Sequence, residues 1–146
     1  MKECWKMTTN TQQDALISRA RAARGHAYAP YSGFLVGAAL LATSGRVYTG
    51  ANIECASLGG TLCAERAALA AAITAGERRF VLLAVAGGDR PLTPCGICRQ
   101  ALAEFLPEGE DLPVVCAAAQ GEERLETTLR SLLPLGFGGE DLHFVK

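Results

Sequence analysis

The sequence predicts one α/β domain, a mixed sheet of about five strands layered between helices in an α-β-α arrangement. Three observations predict it. Two near-continuous apolar runs, residues 80–86 and 113–118, have the length and the Val/Leu content of strands buried on both faces. Between them, residues 100–106 have helical periodicity, and a strand–helix–strand order of this kind gives a right-handed unit with parallel strands. Residues 63–73 are rich in Ala and Leu, the strongest helix formers, and read as a second buried helix. The chain has 146 residues with no repeat and no linker, enough for one core and too few for two comfortable ones.

In chain order, residues 1–10 read as a loose polar tail and residues 11–146 as the single domain. Thr11-Gln12-Gln13-Asp14 resembles a capping box with Asp in place of Glu, and opens a helix to about Arg24. Leu16, Ala20 and Ala23 share one face of it, with Ile17 beside them. Gly25 stops it, and Pro30 lies in the turn-rich loop beyond. Residues 34–42 and 46–50 form a hairpin about Thr43-Ser44-Gly45. Asn52 to Ser57 then leads toward the Cys63 helix, which Gly59-Gly60 precedes and Gly76 ends. The Cys98 helix lasts until Pro107. After the second buried strand, Gln120-Gly121-Glu122 turns the chain into a short edge strand near Arg124-Leu125-Glu126. Residues 127–133 read as a short helix stopped by Pro134, and a glycine-rich tail follows, carrying Phe137.

Composition excludes several classes of function. Hydrophobic residues make up 49% of the chain, which is incompatible with disorder. Lys and Arg number 14 against 15 Asp and Glu, a formal net charge of −1, and neither sign forms a long run. That argues against a nucleic-acid polymer or an anionic membrane as the main partner. No apolar run is long enough to span a bilayer, and residues 1–7 lack the apolar core of a signal peptide. The expected location is therefore the cytoplasm, where six cysteines suggest metal ligands or free thiols before disulfides. Cys4, Cys55 and Cys116 read as plain thiols.

The other three cysteines stand where loops become helices. Cys63 alone is as well explained by a buried free thiol. The spacing Pro94-Cys95-Gly96-Ile97-Cys98 changes that reading, because C-x-x-C is a metal-chelating spacing. Two helix starts then supply three sulfurs, and helix starts favour anions, thiolates included. Four thiolates close a structural zinc site, whereas three leave a position open for water. Glu65, two residues from Cys63, is placed as a general acid/base beside such a position. Cys-x-Glu followed by Pro-Cys-x-x-Cys is the pattern of zinc deaminases.

At this point the chain resembles the small, three-cysteine, zinc-dependent cytidine deaminases. The resemblance rests on Pro30-Tyr31-Ser32, Phe34 with Val36-Gly37-Ala38-Ala39, Asn52-Ile53-Glu54, Cys63-Ala64-Glu65-Arg66, Pro94 to Gln100, Leu132-Leu133-Pro134 through Phe137, and Glu140-Asp141-Leu142. It covers nearly the whole chain after the first ten residues. It implies hydrolytic deamination of cytidine and 2′-deoxycytidine in pyrimidine salvage, by a cytoplasmic homotetramer. Zn²⁺ held by Cys63, Cys95 and Cys98 would activate water for attack on C4, and Glu65 would shuttle the protons. The Ala64 N–H would bind the base O2, Phe34 would pack on the base, and Arg66 would offset the thiolate charge. Asn52 and Glu54, two apart on an extended segment, would grip a 3′-hydroxyl. Phe137 would close the site from a neighbouring subunit. Taken without the resemblance, Phe34 reads equally as core, Asn52 and Glu54 as solvated polar residues, and Phe137 as a tethering contact.

Two positions depart from the family pattern. Cys55 replaces the usual amide after Glu54, and Leu58 replaces an aromatic, commonly Tyr. Both bear on subunit contacts near the sugar and on the choice between ribose and deoxyribose. Competing readings are a deaminase of a cytosine-containing antibiotic such as blasticidin S, which lacks the sugar pair, and a polynucleotide-editing deaminase, which needs a basic groove. A structural zinc module would need Cys55 or Cys116 as a fourth ligand and would leave Glu65 idle. A thioredoxin-like redox protein would leave Cys63-Ala64-Glu65 unexplained.

Overall fold

The computed structural model describes residues 8–142. A mixed five-stranded sheet carries helices on both faces, as expected. Its strands are β1 (Gly37–Ala42), β2 (Val47–Ala51), β3 (Phe80–Ala86), β4 (Pro113–Ala117) and β5 (Arg124–Thr128), in spatial order β2-β1-β3-β4-β5. β1 runs antiparallel to both β2 and β3, β3 and β4 are parallel, and β5 closes the other edge antiparallel to β4. The helices are α1 (Asn10–Arg24), α2 (Ala64–Thr74), α3 (Gly96–Ala103) and α4 (Leu129–Leu132).

Alternation along the strands sorts the core into two layers. Ala39, Leu82, Ala84, Val115 and Ala117 pack against Leu16, Ile17 and Ala20 of α1. Leu40, Leu83, Val85, Val114 and Cys116 point to the other face and meet Ala64, Ala68, Leu69 and Ala72 of α2, Leu102 of α3 and Leu129 of α4. The expected apolar face of α1 is buried, and Gly25 caps the helix. Its start differs from expectation. Thr9 is the N-cap, bonded reciprocally with Gln12, so the helix begins at Asn10 inside the anticipated tail. Residues 1–7 of that tail, with Cys4, lie outside the described residues. The first hairpin strand begins at Gly37 because Phe34, Leu35 and Val36 are held by side chains of other segments. Thr127 and Thr128, anticipated as helix, extend β5 instead; both are β-branched. Thr128 then caps the single turn of α4 through the Ser131 N–H.

One glycine lets the second layer close. A Cβ on Gly50 of β2 would overlap the Ala64 carbonyl oxygen and the Ala68 nitrogen of α2. Gly50→Ala is therefore expected to push on the backbone of α2 and cost about 1–3 kcal/mol, as overpacking does. Urea denaturation of the two proteins measures this, and equal midpoints would refute the close approach.

Candidate metal centre and active site

Cysteine occupies the cap position of both central helices. Cys63 is the N-cap of α2 and Cys95 that of α3, each with extended backbone (φ −71°, ψ 153° and φ −67°, ψ 167°). Cys98 is the third residue of α3 and is fully buried. An N-cap side chain reaches its third helical residue by the ordinary geometry of a helix start, so C-x-x-C at this place pinches two sulfurs together. The starts of α2 and α3 meet, and the three Sγ atoms lie within 4.8 Å of one another. Cys63 Sγ and Cys95 Sγ are 3.8 Å apart. Zn–S bonds of about 2.3 Å at tetrahedral angles separate sulfurs by about 3.8 Å, so the donor set fits zinc. Among the described residues, Cys63, Cys95 and Cys98 are the one cluster of metal-ligating groups this compact, which leaves a tetrahedral corner free. Cys55 and Cys116 stand outside it. Cys116 is an inert core thiol, pushed up to about 12 by burial and then by the Glu65 carboxylate.

Electrostatics around the sulfurs are uneven. Burial, then the nearby Glu65 charge, pushes the Cys98 thiol well up. Burial also raises Cys95, but the Cys98 amide, the Cys98 and Cys63 thiols and the Ile97 amide outweigh it, and its thiol falls below the ordinary range. Neither N-cap sulfur meets hydrogen-bond geometry to the helix amides, so those amides act as oriented dipoles. A cation among the three sulfurs overrides these differences, because a coordinating thiol is deprotonated outright. Arg66 Nη2 donates to the Thr61 carbonyl at 3.0 Å and lies 3.6 Å from Cys63 Sγ. The Cys63 sulfur, foremost, raises the guanidinium pKa further. Arg66 Nε is buried without a partner.

Glu65, the second residue of α2, is 5% exposed, with Oε2 3.8 Å from Cys98 Sγ. Burial raises its pKa against the pull of its own amide, Cys98 and Arg66. That is the direction needed to tune a carboxyl toward proton exchange near neutral pH. Ala64, the first residue of α2, is fully buried, and its N–H belongs to the first-turn amides that have no partner inside a helix.

The expected sugar and base residues come together on a second scaffold. Ile53 bridges Tyr28 on one side and Leu62 on the other, tying Asn52 and Glu54 to the residue before Cys63. Asn52 is buried and already engaged: Oδ1 accepts from the Val36 N–H and Nδ2 donates to the Phe34 carbonyl, both at 2.8 Å. Glu54 accepts from the Tyr31 and Ser32 amides and from the Ser32 hydroxyl. The hydroxyl and then the amide of Ser32 hold its carboxyl below the usual range. Phe34 is partly exposed, its ring lying over Gly87 and Gly88. Phe137 is exposed and lines a different cavity, of about 580 Å³, together with Gln100, Arg130 and Leu133. That cavity contains none of the three cysteines and not Glu65.

A family model for the cytidine and deoxycytidylate deaminase zinc-binding region matches residues 10–109. The chain belongs to this family. The deaminase is 46% identical over 132 residues to a cytidine deaminase of Sporosarcina psychrophila, covering 90% of this chain and 95% of that one. It is 50% identical over 129 residues to a cytidine deaminase of Halalkalibacterium halodurans, covering 88% and 96%. Among solved structures, the crystal structure of cytidine deaminase from Burkholderia pseudomallei superposes with a TM-score of 0.80 at 45% identity, covering 89% of this chain and 100% of that one. The family's zinc and the three-sulfur donor set of this deaminase agree.

Two neighbours of the thiols carried no expectation of their own. Arg99 donates to the Pro94 carbonyl, the Leu132 carbonyl and the Thr93 hydroxyl, locking the loop before Cys95 to the end of α4. Gln100 donates to the Phe137 carbonyl. Both lie inside a quoted motif, and the signal available was a cation directly following a metal ligand.

Proposed function

We propose that this deaminase hydrolyses cytidine and 2′-deoxycytidine to the corresponding uridines and ammonia. The observation that carries the reading is Glu65, a buried carboxylate 3.8 Å from a sulfur of a three-thiol cluster with a free corner. When bound, zinc supplies a Lewis acid that makes water a nucleophile near neutral pH. Cys63, Cys95 and Cys98 hold it, and Arg66 offsets their charge. Glu65 takes the proton of the attacking water, delivers it to N3 of the pyrimidine, and later passes a proton to the leaving amine. Phe34 packs on the base, the Ala64 N–H receives its O2, and Asn52 with Glu54 holds the ribose. The names of the curated relatives support the substrate. The Asn52–Glu54 pair favours a nucleoside over a cytosine-containing antibiotic, and the lack of a fourth close ligand among the described residues disfavours a structural zinc module. Ultraviolet absorbance of cytidine, deoxycytidine, cytosine and blasticidin S incubated with the purified protein tests this. Loss of amine from blasticidin S alone would overturn it.

The enzyme is read as a single-domain cytoplasmic protein of pyrimidine salvage that assembles as a homotetramer. No helix among the described residues is long and apolar enough to cross a membrane. Ile97, Leu135, Phe137 and Leu142 are exposed on the single chain, and Ala70 and Ala71 offer a small-residue strip on α2. A neighbour covering them would remove apolar surface from water and bring Phe137 to another site. Light scattering coupled to size exclusion is expected to give a tetramer, and a fully active monomer would overturn the assembly. Phe137→Ala is expected to raise KM within an intact tetramer; unchanged KM and kcat there would remove Phe137 from the site.

A further inference from the structure

We propose that Ser32 is the positioning residue of the sugar end of the site, its hydroxyl anchoring the one oxygen of Glu54 that is left for the nucleoside and holding Phe34 beside it. The proposal rests on the nucleoside reading above. An ionised carboxylate offers about four acceptor positions, two on each oxygen. Glu54 Oε1 accepts the Tyr31 and Ser32 amides, both at 3.0 Å, and is full. Oε2 accepts the Ser32 hydroxyl at 2.6 Å, which leaves one position, on that oxygen alone. The Ser32 hydroxyl has a single proton, and its oxygen accepts the Phe34 N–H at 3.0 Å. Its proton is therefore committed to Glu54.

Phe34 is gripped at both ends of its backbone, by Ser32 at the N–H and by Asn52 at the carbonyl. Asn52 retains one amide proton, because Nδ2 carries two and the Phe34 carbonyl takes one. A ligand hydroxyl set between the two residues thus has one arrangement: it accepts from Asn52 Nδ2 and donates to Glu54 Oε2. Without the Ser32 hydroxyl, Oε2 loses its anchor while Oε1 keeps both amides, and the Phe34 N–H loses its acceptor. The damage falls on recognition of that hydroxyl. Glu65 and the three sulfurs are not among the hydrogen-bond partners of Ser32.

Steady-state kinetics with cytidine and 3′-deoxycytidine, on the zinc-loaded parent, Ser32→Ala and Ser32→Thr, test the assignment. The ratio of the two kcat/KM values on one protein does not depend on how much of it is folded. Ser32→Ala is expected to lower the cytidine preference by about tenfold, the scale of one charge-assisted hydrogen bond. The change should lie in KM for cytidine, with kcat within about twofold of the parent. Ser32→Thr, which keeps the hydroxyl, should restore the preference. An unchanged preference in Ser32→Ala overturns the role of Ser32 and leaves the deaminase reading standing. A parent that turns over both nucleosides with equal kcat/KM overturns the sugar contact on which it acts. A parent inert toward both overturns the nucleoside reading, and the role of Ser32 with it.

Discussion

Glu65→Gln is expected to lower kcat by about 10²–10⁴-fold while zinc content and fold stay as in the parent. Glu65 is 5% exposed, so its side chain is confined by packing, and an amide of nearly the same shape fits the space. What the amide lacks is a titratable oxygen that can take up a proton and release it. Burial sets the carboxyl up for exchange by raising its pKa, against the pull of Cys98, whose sulfur is 3.8 Å from Oε2. It is not one of the three groups that converge within 4.8 Å, so metal retention does not depend on it. Stopped-time assays for uridine, with elemental analysis of the same preparation, measure both halves. Turnover within tenfold of the parent would remove Glu65 from the proton path, and loss of zinc would make it a ligand.

The legible parts of the fold are those where one pattern spans a whole element. β3 and β4 are apolar on both faces because helices cover both, and that alone marks residues 80–86 and 113–117 as central strands. The start of α3 is legible for a local reason: where the first Cys of C-x-x-C is the N-cap, the second is the third helical residue and lies beside it. Boundaries were less legible where two local rules compete. Thr9 and Thr11 can both cap α1, and the reciprocal Thr9–Gln12 pair wins. Thr127 and Thr128 carry both strand and cap propensity, and pairing with Val114 and Pro113 places them in β5.

The polar residues expected at the sugar were legible as residue types and not as a network. Asn52 and Glu54 have the right chemistry, yet most of their hydrogen-bonding capacity goes to the chain itself, to Phe34, Val36, Tyr31 and Ser32. Those partners are up to 23 residues away, and only the folded loop brings them together. Arg99 escaped for the same reason: one of its partners, Leu132, is 33 residues on. A local pattern records what a side chain can do, and tertiary structure decides how much of that capacity is left for a ligand.

Replacing Cys95 and Cys98 together by alanine is expected to abolish zinc binding and bring deamination to the background level. Two of three sulfurs disappear, and Cys63 alone, with Arg66 at 3.6 Å, cannot hold a divalent cation against water. The fold itself should survive. Cys95 is exposed, and Cys98 yields only a small void at the edge of a core that α2, β3 and β4 already close. Stability should fall by the metal's share, since a ligand that binds only the folded state adds RT ln(1 + [L]/Kd). The parent is therefore expected to lose thermal stability on chelation, whereas the double variant melts at one temperature with or without chelator. Cys116→Ala removes a thiol from the same core without touching the cluster, and should keep about one zinc per chain with its chelator response intact. Calorimetric melts with matched metal analysis read all three proteins. Full zinc in the double variant would show that the metal sits elsewhere, and loss of zinc from Cys116→Ala would show that the cluster depends on the sheet beneath it.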